Sequence, residues 1–192
     1  MRRLVWLAVL VVSLATFTLI APAGLAQQRQ VLGHHVRFDL VSVVQGVVLT
    51  GGEDVGRDTA TGDTVRLTGS GGFKPATNDA AGGGTFVHQH PNGTEVAHGV
   101  WVVTGFVSWE PAGGFLPPSL TDGIGEVSEA SAGVVTIHVE LRPSSGGPLP
   151  ATLSVHCALP GAAFPIEEGI TLNVASFVFE QHGGQTLFHI LQ

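Results

Sequence analysis

Beyond residue 26 the apolar positions fall in short runs rich in Val, Thr, Ile and Phe, bounded by Gly, Pro, Asn and Asp. No segment there sustains the i, i+3, i+4, i+7 spacing of an amphipathic helix. The pattern predicts strands at His34–Leu49, Thr64–Gly69, Gly84–His90, Thr94–Trp109, Gly133–Leu141, Ala151–Ala158, Ile170–Glu180 and Gln185–Leu191. The fold expected is all-β, a single antiparallel β-barrel of about eight strands, with a two-sheet β-sandwich as the alternative. Between the strands, Gly51–Asp63, Gly71–Gly82, Glu110–Ala132 and Pro160–Gly169 read as loops. The third carries the apolar stretch Gly113-Gly114-Phe115-Leu116-Pro117-Pro118, suited to packing over one barrel mouth. The glycine clusters Gly69–Phe73 and Gly82–Phe86 read as bends where strands curve, and no helix follows them that would make a phosphate cradle.

The N-terminus follows a different pattern. Arg2 and Arg3 precede the apolar run Leu4–Ile20, and Ala21-Pro22-Ala23-Gly24-Leu25-Ala26 offers small residues at the −3 and −1 positions of a peptidase site. Residues 1–26 therefore read as a Sec-type signal peptide cleaved after Ala26, and 27–192 as one secreted or periplasmic domain; an uncleaved anchor is the alternative. No later run is long enough to span a membrane as a helix, so no stable membrane insertion is expected after cleavage. The lone Cys157 excludes an intrachain disulfide, and its place in the apolar run Leu153–Leu159 makes it a buried thiol.

Composition narrows the partners. The 192 residues carry 8 Lys+Arg against 15 Asp+Glu, a net charge of −7, which argues against nucleic acid and acidic lipid. With 44% hydrophobic and only 12% charged residues, the apolar strands leave room for a small apolar ligand inside the fold.

One segment carries candidate chemistry. In Phe86-Val87-His88-Gln89-His90-Pro91-Asn92-Gly93-Thr94-Glu95-Val96-Ala97-His98, a type I turn at Pro91-Asn92 closed by a left-handed Gly93 pairs His90 with Thr94, His88 with Val96 and Phe86 with His98. His88, His90 and His98 then share one face as candidate ligands for a divalent transition metal, Zn, Cu, Ni or Fe, with His138 and His156 as possible additions. A two-residue Asn-Gly turn would instead send His98 to the opposite face. Trp101 and Trp109 lie an even number of residues apart on one strand, on one face with Val103 and Val107, and read as core or interface packing. No Gly-x-Ser-x-Gly elbow with its strand-to-helix turn is present, and Glu126 and Glu129 read as solvated.

His88-x-His90-x4-Glu95 resembles the first cupin motif, which implies a metal held by two His and a Glu inside a β-barrel. The match departs where Val102 replaces the motif's later glycine, and no second cupin segment follows. Val65–Gly71, Gly82–His88, Ala97–Trp101 and Glu167–Leu172 are similar to a group of uncharacterised small exported bacterial β-proteins, which implies an exported β-fold and no particular activity. The function expected is a small-ligand binding or structural module, with a His-ligated metalloprotein as the alternative; whether it is an enzyme stays open.

Overall fold

The computed structural model describes residues 34–191, so the expected signal peptide lies outside the described residues. Among the described residues there are twelve strands: β1 (His35–Val44), β2 (Val47–Thr50), β3 (Glu53–Asp58), β4 (Thr64–Lys74), β5 (Asp79–Gln89), β6 (Glu95–Gly113), β7 (Thr121–Asp122), β8 (Ala130–Pro143), β9 (Leu149–Cys157), β10 (Gly169–Val174), β11 (Phe177–Gly183) and β12 (Thr186–Leu191). A 3₁₀ turn, Val127–Glu129, precedes β8. The all-β class is as expected, and among the described residues no helix is long and apolar enough to cross a membrane.

The expected single barrel of about eight strands is corrected. The ladder runs β6-β5-β4-β3-β11-β10-β9-β8-β12-β1-β2-β7, with β6–β8 and β4–β1 pairings besides. It forks twice. One edge of β4 pairs with β3 through Thr64–Thr68 and then with β1 through Ser70–Phe73. One edge of β8 pairs with β12 at Ala130 and Ser131, then with β9 from Gly133 to Leu141. The far end of β1 leaves this sheet to pair with β2, which lies parallel to β7. The architecture is thus a branched, multi-sheet arrangement, and neither the strand count nor the uniformly antiparallel pairing of a simple barrel holds.

Local chemistry explains the extra strands. Gln45 and Gly46 have φ of 52° and 81°, which makes a tight two-residue turn that splits the expected strand 34–49. Ala175, with φ 51°, opens the equivalent turn between β10 and β11. Strand β3 lies in an expected loop because its inward positions are Asp54, Gly56 and Asp58, the reverse of the usual apolar-in pattern. Its neighbours compensate: Gln185 and Val178 donate backbone N–H groups to Asp54 and Asp58 at 2.8 and 2.9 Å.

The glycine clusters do not end strands. Gly69 faces Gly84 and Gly71 faces Gly82 in one continuous β4–β5 ladder, which closes only at the Pro75–Asn78 turn. A Cβ at Gly71 would lie 2.5 Å from the Phe38 ring, so the missing side chain makes room for that aromatic. Phe38 packs in the core with Phe73, Trp101, Trp109, Phe179 and Phe188. The Trp109 ring lies 5.1 Å from Phe73 and 4.7 Å from Phe188, in tilted and edge-on contacts. Both tryptophans are buried as expected, yet Val107 is exposed. Register shifts between Val103 and Gly105 and between Phe106 and Ser108 turn the intervening segment over, and the second shift restores the inward face for Trp109. Cys157 is fully buried, and burial pushes its thiol well above the ordinary cysteine range.

Candidate functional site

The turn between β3 and β4 is built around Asp58. Its Oδ1 accepts the N–H groups of Ala60 and Thr61 at 3.0 and 2.8 Å, and Asp63 O accepts the Asp58 N–H at 2.9 Å. These bonds hold Asp63, which is buried, against the tip of the β5–β6 hairpin. There the His88 ring donates through Nε2 to Asp63 Oδ2 at 2.9 Å, and His90 donates through Nδ1 to Oδ1 at 3.2 Å. One carboxylate thus binds two imidazoles, one on each oxygen. Burial alone would raise the Asp63 carboxyl, but the hydrogen bonds and charge of His90 and His88 hold it below the usual carboxylate range. The edge of the His88 ring packs on Phe177 and Phe179, 5.0 and 5.4 Å away, beside an apolar cavity of about 90 Å³ that Phe86, Leu172 and Phe179 also line. The set can orient an imidazole and polarise it for proton transfer, and mechanically it clamps two turns together.

The hairpin's register decides which histidines meet. Its tip forms as expected: His90 N–H donates to Thr94 O, Gly93 N–H to His90 O, each at 2.9 Å, and Gly93 has φ 83°. The next pair is Gln89 with Glu95, but then His88 faces Ala97, so Val96 is an extra residue. That bulge shifts the register by one and pairs His98 with Val87, on the face opposite His88. His98 is exposed there and donates to Glu95 Oε1 at 2.6 Å.

His138 and His156 lie on the face of β8 and β9 away from the apolar core. His156 pairs with Val134, four residues from His138, a separation of roughly 14 Å along the strand. Burial holds the His156 ring below the ordinary histidine range, against a raising effect of Glu167, and its Nε2 has no partner. Among the described residues no group of three His, Cys, Asp or Glu side chains is arranged to hold a metal ion. The expected divalent metal is therefore corrected. The bulge removes His98, and His88 and His90 each spend a ring nitrogen on Asp63 rather than converging on an open position.

A second polar group, not found from the sequence, sits beside a larger apolar space. Val41, Val43, Val48, Leu116, Leu120 and Leu159 are among the walls of a cavity of about 240 Å³. Phe115 N–H donates to Pro160 O at 3.0 Å and Leu116 is buried, so the apolar loop after β6 packs down as a wall of this space. At its polar end stand Glu168, Gln185 and Thr186. Glu168 Oε1 accepts the Thr186 N–H at 2.6 Å and lies 2.9 Å from Thr186 Oγ1, and Oε2 accepts the Ala158 N–H. Burial raises the Glu168 carboxyl against the lowering effect of these bonds. Asp54 is fully buried behind Gln185, and burial lifts its carboxyl to about 7, against the Gln185 hydrogen bond and with the Glu168 charge adding. Glu168 follows the polar end of a loop, and nothing in Pro165-Ile166-Glu167-Glu168 distinguishes it from its solvated neighbour Glu167.

The fold and both sites define an all-β protein with a packed core, a histidine–carboxylate clamp and an apolar cavity ending in a carboxyl group. No family model, curated protein or solved structure matches the chain.

Proposed function

We propose that this chain is an exported binding protein for a small apolar molecule, held in the cavity between β1, β2 and the segments around Leu116–Leu120 and Ala158–Pro160. The observation that carries this reading is the space of about 240 Å³ with aliphatic walls and a short polar end. Protein interiors are close-packed, and a concave apolar space with a few convergent polar groups is the usual form of a ligand site; at about 240 Å³ this one suits a molecule of only a few heavy atoms. Export rests on Arg2, Arg3, the apolar run Leu4–Ile20 and the small residues before Gln27.

The test is calorimetric titration of the purified protein with 1-hexanol, a molecule matched to the cavity. Saturable binding is expected, and Leu120→Trp, which places a large ring in the space, should abolish it. Absence of saturable binding, or binding unchanged in the Leu120→Trp variant, overturns the proposal.

A further inference from the structure

Glu168 has only neutral donors: the backbone N–H groups of Thr186 and Ala158, and the Thr186 hydroxyl, whose oxygen also lies 2.6 Å from His156 O and has one proton for the two acceptors. A carboxylate offers about four acceptor positions, so these donors leave room for another, and the cavity that Glu168 lines is the side from which one can arrive. Among the described residues neither Glu168 nor Asp54 forms an ion pair, although six other carboxylates pair with His or Arg within 3.0 Å. The cavity walls carry no Lys, Arg or His. The half-buried Glu168 carboxylate thus has no positive charge beside it in this wall, and the buried Asp54 adds a second acid at the same end.

We infer that the ligand is a cation, an apolar primary amine whose ammonium group bonds Glu168 while its hydrocarbon part lies against Val41, Leu116, Leu120 and Leu159. This rests on the cavity reading and adds the ligand's class. An ammonium supplies three donors and the missing charge at once; a neutral alcohol supplies one donor and no charge, and a carboxylate meets a like charge. Burial raises the Glu168 carboxyl, consistent with a group whose partner comes from outside the chain.

The experiment compares hexylamine, 1-hexanol and hexanoate on the purified protein at about pH 8, where an alkylamine, like a lysine side chain, keeps its proton. Hexylamine is expected to bind about tenfold more tightly than 1-hexanol, with hexanoate weakest, since a charge-assisted hydrogen bond is worth about one decade in affinity. Glu168→Gln should remove the amine's advantage and leave hexanol binding in place, and Leu120→Trp should block both, excluding diffuse attraction to an acidic surface. If 1-hexanol binds as tightly as hexylamine, or hexanoate binds best, the amine assignment is overturned while the cavity reading stands. If 1-hexanol shows no saturable binding, the cavity reading itself falls. Should Glu168→Gln fail to fold, the ratio of amine to alcohol affinity in the unaltered protein decides alone.

Discussion

Asp54 shows how one inward-facing carboxyl reaches the bulk behaviour of the protein. It is fully buried, Gln185 donates to Oδ1 at 2.8 Å, and Oδ2 has no partner. Burial lifts its carboxyl from 3.8 to about 7, so in that window the folded chain keeps a proton that the unfolded chain has released. Stability therefore falls as pH rises between those values. Asp54→Asn keeps an acceptor for Gln185 and has no charge to bury, so urea unfolding from pH 4 to 8 should show this descending component gone. An identical slope in the variant would refute the assignment. Ala175 offers a second single-residue test, because a side chain at φ 51° is held in the left-handed region that glycine occupies freely. Ala175→Gly is expected to stabilise by about 0.5–1 kcal/mol, the left-handed penalty less glycine's greater chain entropy, read as a shift of the urea midpoint at constant slope.

Between elements, the clamp of Asp63 on His88 and His90 joins the β3–β4 turn to the β5–β6 hairpin, and Asp58 ties the same turn to β11 through the Val178 N–H. The histidines of that hairpin should accordingly differ in weight. His88→Ala removes a hydrogen bond to a carboxylate and the packing on Phe177 and Phe179, and is expected to cost about 1–3 kcal/mol. His98→Ala, an exposed residue beyond the bulge, should stay within about 0.5 kcal/mol. Chemical denaturation of both variants measures the contrast, and equal losses would mean that the clamp does not hold the hairpin.

Across the whole molecule, three carboxylates set the acid limit. Asp58 is held below the usual range first by the Val178 N–H and then by Thr61. In Asp63 and Asp122 burial works the other way and is outweighed by hydrogen bonds, from His90 and His88 in one and from His189, Gly125 and Ile124 in the other. A depressed carboxyl adds stability above its unfolded value and loses it as pH falls through the folded one, so the fold should hold to the lower edge of the carboxylate range and then unfold. His156, depressed by burial, also favours the folded state as pH rises, through the histidine range. Far-UV circular dichroism followed down from pH 6 should show a β-type spectrum with its main loss below about pH 4. A main transition near pH 6 would place the control in the histidines instead.

Much of this was legible in the chain. Short Val- and Thr-rich runs between glycines and prolines announce an all-β fold, and their apolar positions mark Trp101, Trp109 and Cys157 as core. The Pro91-Asn92-Gly93 turn and the pairing of His90 with Thr94 are equally local and came out as expected. What local pattern does not carry is register beyond the first pairs, because one unpaired residue at Val96 moved His98 across the sheet without any composition signal. Strand β3 escaped for a related reason: Asp54 and Asp58 face inward only because Gln185 and Val178, distant in sequence, bring N–H groups to them. The sequence by itself determined the secondary-structure class, the turn chemistry and the apolar supply. Only the tertiary structure decided how the ladders fork, that Asp63 joins His88 and His90, and that Glu168 ends an apolar cavity, since each depends on long-range pairing in which a single residue's offset selects the face.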